Sequence, residues 1–293
     1  MNRLELLNKI ESINIWKKDG QRAPHKPLLI LYALGQLQSA GITDLSYNDI
    51  YEPLKKLLID FGPSRKIYYP EQPFVRLSND GIWCLDQEVS RSEIKQKWMR
   101  ENNITGSFIP EILELFNEVP DLIFDVANHV LYRHFPESLH QEILEAVGLE
   151  FAEPHIEMKS GVRHFRPRDP KFRGRIMEAY NNACSVCGYD ISIMKKAIGL
   201  EAAHIKWHQA GGPDIEQNGL ALCNMHHILF DKGAFTLDSS HRIKVSSKVD
   251  SSLAADTWLY NYSGRNLRVP VNIHYIPSDN YLEWHVKEVF KGQ

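Results

Sequence analysis

Two residue pairs carry the most explicit chemistry in the chain. The first is Cys184-Ser185-Val186-Cys187; the second, Cys223-Asn224-Met225-His226, begins thirty-six residues after Cys187. Two residues between ligands let a tight knuckle aim both side chains at one ion, and thiolates with an imidazole suit tetrahedral zinc. A redox pair is the other reading of a lone CxxC, but the βαβ setting of a thioredoxin-like protein is missing around it. The spacing therefore predicts structural Zn²⁺ at Cys184, Cys187, Cys223 and His226. The fourth cysteine, Cys84, reads as a small core residue. Between the pairs, Leu200 to Ile205 reads as a strand carrying His204, Gly211-Gly212-Pro213 as a loop, and the stretch from Ala221 as the end of a strand and a helix. On that helix His227 and Asp231 are four apart, project from one face, and can share a divalent ion.

His204, Asn218 and His227, spaced as they are and framed by the two zinc pairs, make residues 170–240 resemble the HNH, or ββα-metal, nuclease motif. The resemblance implies a metal-dependent DNA endonuclease. His204 would be the general base that takes a proton from the water attacking phosphorus. Asn218 would brace the loop holding His204 or reach the metal. His227, with Asp231, would hold Mg²⁺ or Mn²⁺ to stabilise charge on the scissile phosphate and the leaving oxygen. Many members carry Asp or His just before the base; here that position is Ala203, which leaves the ion to Asp231, Asn218 and water. Its CxxH spacing assigns His226 to zinc and leaves His227 to the catalytic ion.

The first half contains Arg22-Ala23-Pro24-His25-Lys26-Pro27, then Tyr68-Tyr69-Pro70-Glu71-Gln72-Pro73-Phe74-Val75-Arg76, then Asn103-Ile104-Thr105-Gly106-Ser107-Phe108. Together with the downstream block, these resemble the sulfur-binding domain of McrA-type, phosphorothioate-dependent restriction endonucleases, over about residues 1–150. The implied function is a modification-dependent restriction endonuclease whose partner is phosphorothioated double-stranded DNA. Sulfur is larger, softer and less hydrated than the oxygen it replaces, so an apolar pocket favours it while cations hold neighbouring phosphates. Pro73 and Phe74 are candidates for that pocket, with Tyr69 and Pro70 as a second choice. His25 and Lys26 at a helix start, and Arg76, can reach the backbone, and a Thr105-Gly106-Ser107 loop can approach the duplex. The rival readings are a nuclease directed to methylated or unmodified DNA and a catalytically silent DNA-binding sensor. A homodimer would supply the second active centre for a double-strand cut.

The elements that must position these residues follow from periodicity. Helices are expected over 3–15, from Pro27, from Ser46, around 91–101, 109–117, 120–134 and 137–147, and from Pro170 to Asn182. Pro53 would split or restart the third of these. Phe74–Leu77 and Ile82–Leu85, joined through Asn79-Asp80-Gly81, form a predicted β-hairpin. The fold class expected is α+β: a mainly helical N-terminal domain with a β-hairpin, then a C-terminal zinc-stabilised ββα-metal domain. An acidic stretch to Glu157 gives way to seven basic residues between Lys159 and Arg175, among them Arg163, Arg166 and Arg168 as candidate DNA contacts. That switch marks domains at 1–150 and 166–293 with a linker at 151–165.

Composition sets the outer limits. Hydrophobic residues make 43% and charged residues 24%, which excludes disordered and collagen-like classes. The longest uncharged apolar run, Pro27 to Gly35, has nine residues where about 20 are needed to span a bilayer. The N-terminus alternates charge with leucine and lacks a signal-peptide core, and four cysteines do not make a disulfide scaffold, so a cytoplasmic protein is expected. The net charge of −3 weighs against a nucleic-acid binder only as an average, because the basic stretch leads into the nuclease-like block.

Overall fold

A computed structural model describes residues 1–15, 21–150 and 169–292. The expected linker at 151–165, and with it Arg163, Arg166 and Arg168, lies outside the described residues. The described chain mixes helix and sheet and divides into two compact units, residues 1–15 with 23–150, and residues 21–22 with 169–292. Among the described residues no helix is long and apolar enough to cross a membrane.

The first unit is built around its most apolar stretch. Helix α1 (Arg3–Glu11) precedes α2 (His25–Ala40), whose Leu28, Leu29, Ile30, Leu31 and Leu34 are all fully buried. Pro27 is tolerated because it lies in the first turn, where an N–H has no intrahelical partner. Strand β1 (Leu45–Ser46) leads into α3 (Tyr47–Phe61), with the Ser46 hydroxyl accepting the Asn48 N–H at the N-cap. Pro53 lies inside α3 and neither splits nor restarts it. Then follow α4 (Glu71–Arg76), β2 (Trp83–Leu85), α5 (Gln96–Glu101), β3 (Thr105–Phe108), α6 (Pro110–Glu118), α7 (Leu122–His134) and α8 (His140–Val147). Helices α3, α4, α7 and α8 pack on α2.

The expected hairpin does not form. Phe74 and Val75 belong to α4, and β2 pairs antiparallel with β3 instead, with Trp83 opposite Phe108 and Leu85 opposite Gly106. Strand β1 covers the other edge of β3, so Thr105–Ser107 is the central strand of a three-stranded sheet rather than a loop. The reason is a chain of edge-on aromatic contacts: Tyr47 on Phe74 at 5.4 Å, Phe74 on Trp83 at 5.8 Å, Trp83 on Phe108 at 5.6 Å, and Phe108 on Phe116 at 5.7 Å. Gly81 supplies its positive φ of 68° as the end of a short 3₁₀ turn, not as a hairpin turn.

The second unit begins with α9 (Phe172–Ala179) and a small ribbon of β4 (Ser192–Ile193) and β5 (Lys196–Ala197). Its centre is the antiparallel pair β6 (Leu200–His204) and β7 (Gly219–Cys223), followed directly by α10 (Asn224–Asp231). Strands β8 (Phe235–Leu237) and β9 (Ile243–Val245), α11 (Leu253–Trp258) and α12 (Asp279–Glu288) complete it. Gly219 lets α9 rest closely on the strand pair: a Cβ there would lie 2.2 Å from Ile176 Cδ1, so the Ile176 side chain would have to shift.

Gly106 is equally constrained, since a Cβ would sit 2.6 Å from the Trp83 ring. Gly106→Ala is expected to lower unfolding free energy by about 1–3 kcal/mol, seen as a lower denaturant midpoint at constant slope. An unmoved midpoint would mean that the Trp83 ring yields.

Candidate functional site

Two clusters of chemistry-bearing side chains stand at opposite ends of the β6–β7 pair. At the Leu200–Cys223 end, Cys184 and Cys187 come from the knuckle after α9, Cys223 closes β7, and His226 lies in the first turn of α10. Their ligand atoms all lie within 4.8 Å of one another, and the three cysteines are free. His226 Nδ1 is 3.1 Å from Cys223 Sγ and 3.7 Å from Cys184 Sγ, while its Nε2–H donates to the Trp258 carbonyl at 2.9 Å. That second bond fixes the tautomer that offers Nδ1 to an ion, as outer partners of metal-bound histidines do. Hydrogen bonds from Cys187 and Cys223 hold the Cys184 thiol well below its ordinary range. The four residues form a donor set that could hold one metal ion.

At the other end His204 stands opposite Gly219. Its ring stacks on Phe172 at 4.2 Å, and Nε2 lies 2.7 Å from Asp214 Oδ1. Asp214 is itself held: its Oδ2 accepts the Asp169 N–H at 2.7 Å, and its carbonyl accepts from Arg175 at 2.6 Å. Burial pushes the Asp214 carboxyl up, but the Asp169 N–H and His204 outweigh it, and its pKa falls below the ordinary value. Asn218 is fully buried and makes three bonds across the loop: it accepts from Lys206 N–H and donates to the Lys206 and Pro213 carbonyls. The loop after His204 is thus stapled by one amide.

His227 turns away from the cysteines. Its Nδ1 lies 2.5 Å from Glu201 Oε2 and its Nε2 3.1 Å from Asp231 Oδ2. Burial disfavours its charged form, yet Asp231 and Glu201 together push the pKa up to about 10. The buried Asp231 is oriented by Trp207, whose Nε1–H donates to Oδ1 at 2.8 Å. Periodicity pairs His227 with Asp231; Glu201, Asp214 and Trp207 were missed, because their approach is tertiary. The only signal for them was a carboxylate three residues before His204 and another after the Gly-Gly-Pro turn.

In the first unit the candidate contacts disperse. Phe74 is 0% exposed and Pro73 is buried, so neither lines a surface pocket. Gly106 is buried beneath Trp83, with Thr105 and Ser107 paired within the sheet. Lys26 is neutralised by Asp80 at 2.5 Å and also donates to the Asn14 carbonyl. Arg76 remains exposed at the end of α4. Tyr69, 50% exposed, borders a surface cleft of about 480 Å³ with Ile67, Gln72, Lys55, Lys66 and Lys95. Sequence reasoning named only Tyr69 of these as a contact.

His25 is not a cation at neutral pH: burial, and then the charge of Arg65, lowers its pKa to about 4 from 6.5. The unfolded chain therefore binds protons more readily in that interval. The contribution of His25 to stability is present above pH 6.5 and is lost as pH falls through about 4. His25→Asn should flatten the stability–pH curve there in denaturant titrations, and a curve parallel to the wild type would sink this account.

Comparison with known proteins supplies the context. The model for the ScoMcrA-like DNA sulfur-binding domain matches residues 3–152, and an HNH endonuclease model matches residues 184–238. The solved sulfur-binding domain of SprMcrA, complexed with phosphorothioated DNA, is 20% identical over 51% of this chain and 95% of its own, with a TM-score of 0.44. That of ScoMcrA, in the same kind of complex, is 17% identical over 49% and 94%, with a TM-score of 0.42. The modification-dependent TagI restriction endonuclease is 21% identical over 40% of this chain and 37% of its own, with a TM-score of 0.30. No curated protein matches.

Proposed function

Because the chain belongs to the ScoMcrA-like DNA sulfur-binding domain family and carries an HNH endonuclease domain, we propose that it is a modification-dependent restriction endonuclease for phosphorothioated DNA. Residues 1–150 recognise the modification and residues 166–293 hydrolyse a phosphodiester nearby. The observation that carries this reading is the joining, in one chain, of the sulfur-binding match with a histidine clamped by a carboxylate on the HNH strand pair.

Sulfur recognition is best served by the cleft at Tyr69. Ile67 and the Tyr69 ring offer an apolar surface, and Lys55, Lys66 and Lys95 offer the charge that flanking phosphates need. In the second unit His204 accepts the proton of the attacking water as its oxygen bonds to phosphorus and the P–O bond to the leaving oxygen breaks. Nε2–H is donated to Asp214, and the carboxylate steadies the imidazolium that forms. Asn218 keeps the loop closed behind the base.

Two metals fit the donor sets. Cys184, Cys187, Cys223 and His226 suit structural Zn²⁺, three soft ligands and an imidazole whose other nitrogen is tied to a carbonyl. His227 and Asp231, whose Nε2 and Oδ2 lie 3.1 Å apart, are the imidazole and carboxylate that would hold Mg²⁺ or Mn²⁺, while Glu201 bonds the opposite ring nitrogen and orients the ring. When bound, that ion stabilises negative charge on the phosphate and leaving oxygen. Two copies of the chain would supply both cuts of a duplex.

Matched duplexes with and without phosphorothioate, incubated with Mg²⁺ or Mn²⁺, test the proposal. Wild type should cut only the modified duplex; His204→Ala should lose about 10²–10⁴-fold in rate, and Asp214→Asn should lose less. Sulfur-independent cutting would reject the sulfur-directed reading, and binding without cutting under either metal would indicate a silent sensor.

Metal content separates the neighbouring histidines. His226→Ala should lose zinc and unfold the second unit, whereas His227→Ala should keep one zinc and lose cleavage. Elemental analysis showing equal zinc loss in both variants would reject the assignment.

A further inference from the structure

The ribbon β4–β5 leaves an apolar face uncovered beside the catalytic strand. Ser192 pairs with Ala197 and Ile193 with Lys196, and the Ile198 N–H continues the ladder to the Ile191 carbonyl. Residues two apart share a face of a strand, so Ile191, Ile193 and Ile198 line one side together with Lys196. On the other side Ala197 packs against the core of the unit. The outward isoleucines are 57%, 61% and 43% exposed, and Met194 at the tip is 92% exposed.

The turn itself is unusual. A two-residue hairpin turn with both central residues at positive φ ordinarily takes Asn-Gly, which enters that region at little steric cost. Here Met194 and Lys195 occupy it, at φ 49° and 63°. A long apolar side chain and a cation are thus held at the apex against backbone preference, a pattern found where a side chain is kept for what it touches.

Charge indicates the occupant. Lys195 and Lys196 crown the ribbon, Arg173 at its base donates to the Leu200 carbonyl, and Arg268 lies over Gly188 of the adjoining knuckle. Asp190 and Glu201 are the exposed acids nearest in sequence. An apolar tip among cations, with no polar side chain on its outward face except Lys196 to read base edges, matches the wedges that enter the minor groove and part a base step. We propose that the β4–β5 ribbon is a DNA wedge: Met194 inserts at a base step from the minor groove while Lys195 and Lys196 hold the flanking phosphates. This rests on the nuclease reading above. Gly199 joins the ribbon to β6, so the ten residue steps from Met194 to His204 place the wedge at most about 33 Å, or about ten base-pair steps, from the cleavage centre.

The test uses the full chain and a phosphorothioated duplex carrying 2-aminopurine at successive steps from the modified phosphate. Wild type should raise 2-aminopurine fluorescence at one step. Met194→Asn keeps a residue suited to the left-handed turn but removes the wedge. It should abolish that rise and slow cleavage by about tenfold or more, with zinc content and melting temperature unchanged. Met194→Leu should retain both signals. Wild type that cuts the modified duplex with flat fluorescence at every step overturns the wedge alone, as does Met194→Asn matching wild type. A variant that alters only the oligomeric state shows a protein-docking face instead and also overturns it. Wild type that cuts no duplex fails the nuclease reading, and the wedge with it.

Discussion

The second unit depends on one short ladder, the antiparallel pairing of Leu200–His204 with Gly219–Cys223. Four residues of extended strand, about 13 Å, separate its ends. One end places Cys223 against the knuckle cysteines, and the other places His204 opposite a glycine. The same register therefore sets the thiol cluster and His204. Slipping it by one residue would turn every side chain to the opposite face and dissolve both sites together. The fully buried Asn218 locks the register at its turn, where its amide ties Lys206 to Pro213.

Helix α10 follows the ladder without a connecting loop, and adjacent helical residues diverge by about 100°. That divergence lets His226 and His227 serve different surroundings. His226 meets three sulfurs and a carbonyl; His227 meets two carboxylates. Trp207 and Asp231 join the loop after His204 to the end of α10 by one buried hydrogen bond, so that loop and Asp231 share one frame.

Much of this was legible in the sequence wherever chemistry and spacing coincide. Cys184, Cys187, Cys223 and His226 could be grouped because ligand spacing is a local property, and the buried α2 because its apolar run is long. The hairpin failed for an equally physical reason. Gly81 has the positive φ that an Asp-Gly turn requires, but the same φ ends a 3₁₀ turn, and Phe74–Leu77 is apolar enough to be either strand or helix. What decided it was the row of aromatic rings from Tyr47 to Phe116, a tertiary fact. Asp214 and Glu201 were hidden likewise: each meets its histidine across ten or more residues of chain, with no periodicity to show it.

Arg22 carries a consequence for modularity. Although it precedes most of the first unit in sequence, it belongs to the second, with its guanidinium 3.9 Å over the Trp207 ring and its backbone N–H donating to Glu288. A nuclease cassette excised at the 151–165 segment would leave behind the cation stacked on the residue that orients Asp231. Recombination that exchanges targeting halves at that segment would therefore also replace part of the nuclease half's own support. Hybrids would be expected to need Arg22 matched to the nuclease they join, a co-inheritance that a simple beads-on-a-string view of the chain would overlook.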